Sequence, residues 1–316
     1  MRHFHTWVCF VLLASSVSCV APVRRDGGPK ANRTRISKDE TSPEIPHIEG
    51  LKKRIWVLDL RVTAPIPEAL NQIDFRQTFR DSISDVFLND ENSAFVPVVT
   101  DQTVLMDLKI DSFTDPMQVS RVGRGSGIAG FLRGEIHQLD ITEKKDPTGL
   151  IQSRDITVNI GVSYELVDAA SGRTLISGNR KKTFVETRSE ILGYATGLAD
   201  SEKKIRKMAD SIAQWMLKDL NPYSSKIGWS GRILKLEGQR LYLNAGRSSG
   251  LRIGDILKVV EVPRDVFDTQ SGRFIGQAPG RVKGTCKVID YFGLDGAVGM
   301  LQSGGGLAPG DRVELF

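Results

Sequence analysis

The stretch Leu241–Gly276 reads LYLNAGRSSGLRIGDILKVVEVPRDVFDTQSGRFIG, and its pattern decides the fold class of the C-terminal part of the chain. Short apolar runs, such as Ile256–Val262, are bounded by glycines at positions 246, 250, 254 and 272. Glycine permits the positive φ that tight turns between short strands require. Because the stretch holds no histidine, cysteine or cluster of carboxylates, it predicts strands and turns rather than a catalytic loop.

The same pattern continues to the C-terminus, and no helical period is found beyond Lys226. Seven strand candidates follow one another with glycine turns between them: Trp229–Leu236, Arg240–Asn244, Asp255–Val262, Arg273–Gln277, Arg281–Tyr291, Gly296–Gln302 and Arg312–Phe316. Many short strands at close spacing predict that residues 222–316 form an all-β domain, either a small barrel or a sandwich. Cys286 lies within one of these strands and is predicted to be a small buried hydrophobic residue.

Residues 51–221 combine helical and strand patterns. Leu70–Asn89 and Asp200–Leu220 each place their apolar residues on one helical face. Phe131–Thr142 and Ile156–Val167 alternate apolar and polar residues, as half-buried antiparallel strands do. The order of the elements predicts an α+β domain, with a mixed or antiparallel sheet and helices on one of its faces.

Residues 1–19, MRHFHTWVCFVLLASSVSC, have the order of a secretory signal peptide: Arg2, a short apolar core, then small residues. The core is too short to span a bilayer as a mature helix. The segment ends at Cys19 and resembles the lipobox of bacterial lipoproteins, in which the cysteine becomes the lipidated first residue. We therefore predict lipid attachment at Cys19, with a plain cleaved signal and an uncleaved membrane anchor as the alternatives.

Residues 20–50 contain prolines, glycines and charged residues and almost no large apolar side chains. Such a composition cannot form a core, so it predicts a flexible tether with a coil dimension of about 30 Å. Val20 follows the cysteine where an aspartate would stand in lipoproteins kept at the inner membrane. By that resemblance the predicted location is the periplasmic face of the outer membrane, or otherwise the periplasm.

Patterns that could indicate catalysis or ligand binding lack their necessary companions. Gly125-x-Gly127-x-x-Gly130 matches the dinucleotide-binding fingerprint by letter, but a strand-like run follows where a helix is required. His137 has no second histidine or cysteine at ligand spacing. The evenly spaced aspartates at 107, 111 and 115 lack the glycine and final glutamate of a calcium loop. We therefore predict no enzyme activity, no cofactor and no metal site.

The net charge of +5 is small for 316 residues. Residues 222–316 hold 13 lysines and arginines against nine aspartates and glutamates, scattered along the predicted strands rather than clustered. A scattered excess is typical of a solvated surface and weakly favours an anionic partner. Nucleic acid is not expected to be that partner.

Three stretches, LYLNAGRSSGLRIGDILKVVE, DTQSGRFIG and APGDRVEL, resemble the C-terminal domain of the flagellar assembly T family. Residues 51–221 are similar to the domain that precedes it in that family. This fold is shared with the curli secretion lipoproteins and the N-terminal domain of the Tol-Pal translocation protein, and the hairpin YELVDAASGRTLISG carries the similarity. The additional N-terminal domain of the flagellar protein has no counterpart here.

The resemblance, the signal peptide and the tether together imply a non-enzymatic outer-membrane lipoprotein. It would act as an adaptor or scaffold in the assembly of a cell-envelope machine, of flagellar type in the first instance. Its partners would be other envelope proteins, and a ring or homo-oligomer is compatible with this role. A curli-type secretion component is an alternative, and it would need two long amphipathic hairpins that cross the membrane. The candidate region for them, residues 115–130, is short and glycine-rich. An activator of peptidoglycan synthesis is the other alternative.

Overall fold

The computed structural model of the chain describes residues 50–98, 121–123, 125–145, 152–190 and 201–316. They belong to one compact unit that spans Ile45–Phe316. The predicted signal peptide, the tether up to residue 49, the lipidation site Cys19 and the aspartates at 107, 111 and 115 lie outside the described residues.

Among the described residues, the first part of the unit holds a six-stranded mixed sheet and two long α-helices, with a 3-10 helix at Glu68–Leu70 and further helical residues at 121–123. Its elements are β1 (Lys53–Val57), β2 (Arg61–Val62), α1 (Phe75–Asn89), β3 (Phe95–Val98), β4 (Gly130–Lys145), β5 (Gln152–Asp168), β6 (Thr174–Glu190) and α2 (Ser201–Leu220). The strand order is β3-β1-β4-β5-β6, and β2 pairs with β4. Strand β1 is parallel to β3 and β4, whereas β4, β5 and β6 are antiparallel. The predicted α+β class is confirmed.

Both helices cover the same face of this sheet. On β5 the residues Val158, Ile160, Val162 and Tyr164 are buried, and they share one core with Phe79 and Ile83 of α1 and Ile212 and Met216 of α2. Of the residues between them, Asn159 and Ser163 are partly exposed, as the alternation in the sequence predicted, whereas Gly161 is buried. Helix α1 begins at Phe75 rather than at Leu70, because the Asp74 carboxylate accepts a hydrogen bond from the Gln77 amide at 3.1 Å.

The second part is a closed six-stranded barrel, so the choice between barrel and sandwich is resolved. Its strands are β7 (Gly231–Glu237), β8 (Arg240–Leu243), β9 (Ile256–Val260), β12 (Val282–Phe292), β13 (Gly296–Gly304) and β14 (Arg312–Leu315), in the order β12-β13-β8-β7-β14-β9. Strand β12 changes register at two bulges against β13, which gives it the bend that closure of a small barrel needs. Ile233, Leu257 and Cys286 are among the fully buried residues of the barrel core.

Two further strands, β10 (Arg264–Phe267) and β11 (Phe274–Ala278), form a separate antiparallel hairpin outside the barrel. The sequence placed Arg273–Gln277 among the strands of a barrel or sandwich, and the structure places it in this hairpin instead. We call Arg264–Ala278 the outer hairpin.

The turn Gly246–Ser249, within the opening sequence stretch, joins the barrel to the sheet. The Asp295 carboxylate accepts hydrogen bonds from the amides of Gly246 and Ser249, at 2.9 and 3.0 Å, and from the Ser249 hydroxyl at 2.5 Å. The Ser249 carbonyl accepts a hydrogen bond from the Lys52 amide at 3.1 Å. Leu51, just before β1, packs into the barrel core. The sheet and the barrel are therefore joined by both hydrogen bonds and apolar packing.

Asn244 adds a second connection at this junction. Its side-chain oxygen accepts a hydrogen bond from the Arg232 amide at 2.7 Å, and its side-chain nitrogen donates to the Ser126 carbonyl at 3.3 Å. Gly127 has a φ of 63°, and a Cβ there would lie 2.6 Å from the Asn244 side chain. A glycine is thus required where the segment before β4 meets the barrel.

The sequence pattern D-x-x-S-G-R occurs twice, at Asp168–Arg173 and at Asp268–Arg273, and it folds into the same turn both times. In each turn the side chain of the aspartate that begins the pattern accepts hydrogen bonds from the backbone amides two and three residues later. The amide of the glycine donates to the aspartate carbonyl at 2.8 Å. Gly172 and Gly272 have φ values of 67° and 66°. The first turn links β5 to β6, and the second links the two strands of the outer hairpin.

This repetition provides a matched pair of variants. Gly172→Ala places a Cβ in the left-handed region within the main sheet, so we expect the free energy of unfolding to fall by about 1 kcal/mol. Gly272→Ala introduces the same strain in a hairpin outside both cores, and the change in global unfolding is expected to stay within about 0.5 kcal/mol. Urea unfolding followed by circular dichroism measures both, and equal losses would contradict the assignment of the outer hairpin as an independent element.

Candidate interaction surfaces

The outer hairpin exposes apolar side chains at several neighbouring positions. On its strands Val266, Phe267 and Ile275 are exposed, and at its base Val282 is 64% exposed. The rings of Phe267 and Phe274 meet edge to face, with centroids 5.9 Å apart. Single exposed apolar residues are normal on protein surfaces, but a cluster of them on one element is typical of an interaction site.

Charged groups form ion pairs at the base of the outer hairpin. The Glu261 carboxylate accepts hydrogen bonds from Arg281 and Arg264, each at 3.3 Å, and these two bonds hold the pKa of Glu261 below its ordinary value. On the other side, the Arg121 guanidinium lies 3.5 Å from the Asp265 carboxylate. Because the three arginines are 55–83% exposed, these ion pairs stabilise the base of the hairpin only slightly.

A second surface lies where α2 covers β6, and it depends on one hydrogen-bonded cluster. The ring of Tyr164 on β5 crosses over Gly178 of β6, where a Cβ would come within 2.4 Å of the ring. The Tyr164 hydroxyl donates to the Asp219 carboxylate on α2. Arg180 of β6 donates to the two oxygens of the same carboxylate, at 2.5 and 2.9 Å. The cluster fixes α2 against the last two strands of the sheet.

The protonation states in this cluster follow from its geometry. Burial of the Asp219 carboxyl acts to raise its pKa, but the hydrogen bonds from Arg180 and Tyr164 outweigh burial and leave the pKa below its ordinary value. Burial, together with the bond to Asp219, raises the pKa of Tyr164 well above its ordinary value. The cluster therefore holds one carboxylate anion, one guanidinium cation and one neutral phenol at neutral pH.

Beside this cluster lies an open groove of about 410 Å³. It is lined by Asn179, Arg180, Lys181, Trp215, Lys218 and Asp219. The ammonium group of Lys182 lies 5.0 Å from the centroid of the Trp215 ring, within the range of a cation–π interaction. We call this feature the basic groove, because three cationic residues, Arg180, Lys181 and Lys218, line it together with a single carboxylate, Asp219, with which Arg180 is paired.

The acid dependence of stability tests the Asp219 cluster. A carboxyl with a lowered pKa stabilises the fold above its unfolded-state pKa of about 4, and this contribution disappears as the pH falls through the folded-state value. Asp219→Asn is expected to lower the free energy of unfolding at pH 7 by about 1–3 kcal/mol, since Arg180 and Tyr164 lose their acceptor. The difference from the wild type should shrink as the pH is lowered below 4. Glu91→Gln, at an exposed loop carboxylate, serves as the control and should change stability little at either pH. An Asp219→Asn loss that is independent of pH would contradict this account.

The residues that sequence analysis examined as candidates for catalysis or metal binding lie apart from one another. Cys286 is fully buried in the barrel, as predicted, and burial raises the pKa of its thiol to about 12. His137 is exposed at a bulge of β4, with its Nε2 3.1 Å from the Asn179 amide nitrogen. Within the described ranges, no group of three or more histidine, cysteine, aspartate or glutamate side chains could hold a metal ion.

The glycine motif at 125–130 leads into a strand, as the sequence indicated. Ile128 and Ala129 are buried, the Ala129 amide donates to the Arg54 carbonyl at 2.7 Å, and Gly130 begins β4. Val122 and Ile128 pack in a small cluster with Trp56 and Phe131. Of the described residues of the segment that a curli-type pore would use, Val122 and Gly127–Gly130 are therefore packed against other parts of the protein, whereas Arg121 and Gly125 are exposed.

A small cleft of about 60 Å³ lies between the sheet and the barrel, with Ala170, Arg232, Val262 and Arg312 among its lining residues. Ligand pockets usually enclose about 300–1,000 Å³, so this cleft is too small for a cofactor. Among the helices that the structure describes, none has the length and apolar character needed to cross a membrane.

Sequence reasoning identified neither the outer hairpin nor the basic groove as an interaction surface. For the hairpin a usable indication was present. The pairs Val266-Phe267 and Phe274-Ile275 place apolar residues side by side, which breaks the alternation expected of a barrel strand with one buried face. For the groove the indication was the run Arg180-Lys181-Lys182 on a predicted strand. The position of this strand at the edge of the sheet could be recognised only once the strand order was known.

No family model matches the chain, and no curated protein matches it. Among solved structures, a hypothetical protein of Chlamydia trachomatis is similar with 11% identity and a TM-score of 0.34, over 55% of this chain and 99% of that one. The PelC dodecamer of Paraburkholderia phytofirmans is similar with 13% identity and a TM-score of 0.27, over 54% and 88%. A lipoprotein of Neisseria meningitidis is similar with 12% identity and a TM-score of 0.29, over 53% and 99%. Similarities at this level do not assign the chain to a family.

Proposed function

We propose that the chain is a non-enzymatic envelope lipoprotein that acts as an adaptor or scaffold in the assembly of a cell-envelope machine. It is anchored to the outer membrane through Cys19, and its folded part faces the periplasm. The observation that carries the binding role is the outer hairpin, which presents exposed apolar side chains beside the ion pairs of Glu261 with Arg264 and Arg281. Burial of these side chains by a partner protein would provide the binding free energy.

The sequence supports the remaining parts of the proposal. The order of charge, apolar core, small residues and Cys19 supports lipid anchoring, and the tether would allow the folded part to reach a partner at a distance from the membrane. The resemblance of three C-terminal stretches to the flagellar assembly T family makes a flagellar-type assembly the first setting in which to seek that partner. Absence of catalytic activity is part of the proposal.

The binding role is tested by the substitution Ile275→Asp in the outer hairpin. A charge in the apolar contact surface is expected to reduce recovery of an envelope partner at least tenfold in pull-downs from envelope extracts. Leu294→Asp is the matched control, because Leu294 is 99% exposed but lies in a barrel turn outside the hairpin. Recovery that is unchanged by Ile275→Asp, or a wild-type chain that recovers no envelope protein, would overturn the proposal.

Lipid anchoring is tested by Cys19→Ser. If Cys19 carries the lipid, the variant should leave the membrane fraction and appear as soluble or unprocessed protein, while the folded part keeps its circular dichroism spectrum. Fractionation of cells, followed by metabolic labelling with a palmitate analogue, measures both attachment and lipidation. A variant that fractionates and labels like the wild type would refute anchoring at this residue.

A further inference from the structure

The two edges of the main sheet differ in their capacity to accept another strand. At one edge, β3 has only four residues and contains Pro97, which has no amide proton to donate. At the other edge, β6 extends over 17 residues and pairs on one side with β5. In the part of the chain that the structure describes, no strand pairs with the outer side of β6. A long unpaired edge offers a row of backbone donors and acceptors to an added strand.

The middle of this edge is basic on both faces of the sheet. Exposure alternates along β6, so Lys181 lies on the open polar face while Arg180 and Lys182 lie on the face of α2. Lys218, exposed in the last turn of α2, adds a further cation beside the basic groove. Asp219 is the carboxylate that lines the groove, and Arg180 pairs with it. The edge therefore presents hydrogen-bonding backbone and an excess of positive charge at the same place.

A second copy of the chain is a poor occupant of this edge. A two-fold pairing centred on the middle of β6 would place the run Arg180–Lys182 of one copy opposite the same run of the other. Like charges that face each other across paired strands are destabilising, and lysine on an edge strand is a recognised means of preventing self-association. An acidic strand from another protein avoids this repulsion and gains favourable cross-strand pairs.

We propose that the outer edge of β6 binds an extended acidic segment of a partner protein as an additional strand. Backbone hydrogen bonds along β6 hold the segment, and acidic side chains face Lys181 on the open side and Lys182 with Lys218 on the groove side. This inference rests on the proposed function, because it takes the binding partner to be a protein. It uses a different surface from the outer hairpin, so each can fail without the other.

The probe for this proposal is a ten-residue peptide of sequence EEVVEEVVEE, which presents glutamates on both faces of an added strand. It is labelled with a fluorophore and titrated against the full chain by anisotropy. The double variant Lys181→Glu with Lys218→Glu is expected to weaken binding about tenfold, because each reversal replaces an attraction with a repulsion. Lys287→Glu, at an exposed lysine on barrel strand β12, is the charge-matched control for the single variant Lys181→Glu and should leave affinity within about twofold. Circular dichroism and urea midpoints confirm that the variants remain folded.

A second peptide of the same sequence separates strand addition from general attraction between charges. With alternate backbone amides methylated it keeps its carboxylates but cannot complete the hydrogen-bond ladder, so binding should weaken at least tenfold. Equal binding of the methylated peptide, or equal loss with Lys287→Glu, would overturn the proposal. It would also be overturned if sedimentation showed a dimer that Lys181→Glu dissociates, since the edge would then hold a second copy. Loss of peptide binding with normal recovery of the hairpin partner would refute this inference alone.

Discussion

The structure depends on how one carboxylate, Asp295, organises the turn that joins the sheet to the barrel. The backbone amides of the buried residues in the turn Gly246–Ser249 need an acceptor, because a buried donor without a partner is destabilising. Asp295 supplies that acceptor for the amides of Gly246 and Ser249. The Ser249 carbonyl, held in place in this way, accepts a hydrogen bond from the Lys52 amide. Gly250 has a φ of 85°, and a Cβ there would lie 2.8 Å from the Gly50 carbonyl oxygen. The start of the sheet can therefore approach the barrel closely, and Leu51 can enter the barrel core.

This junction determines which surfaces remain open. The barrel closes on itself and has no free edge in its ladder, while the sheet is covered on one face by α1 and α2. In the part of the chain that the structure describes, neither the outer edge of β6 nor the outer hairpin pairs with a further strand of the fold, and each lies beside a local charge cluster. Asp219 with Arg180 and Tyr164 fixes the helix beside the edge, and Glu261 with Arg264 and Arg281 lies at the base of the hairpin. The Asp219 cluster is partly buried, whereas the arginines of the Glu261 cluster are largely exposed.

Local patterns predicted most of the long elements of the fold, because burial largely alternates along β5 and follows the helical period along α2, but they missed the short strands β2 and β10. They were sufficient for the repeated turns as well, since an aspartate and a glycine at fixed spacing determine that conformation. Local patterns could not predict the junction between sheet and barrel. Asp295 and Gly246 are 49 positions apart, and a single hydrogen bond between them produces no periodic pattern in the sequence. The start of α1 was misplaced by five residues, since the Asp74 cap competes with a helical pattern that continues upstream. The surfaces of the proposed site required strand order, which a single sequence does not specify.

In the proposed account, one compact unit carries two separate protein-binding elements on a predicted tether. The apolar hairpin would provide affinity through burial, and the basic edge would select a segment of opposite charge and extended conformation. The most direct test of this account is photo-crosslinking in living cells, with a photoreactive amino acid at position 275 and expression from the native locus. The account predicts a discrete adduct with an envelope protein from position 275 and none from the equally exposed position 253 in a barrel turn. No adduct from position 275, or the same adducts from both positions, would contradict it.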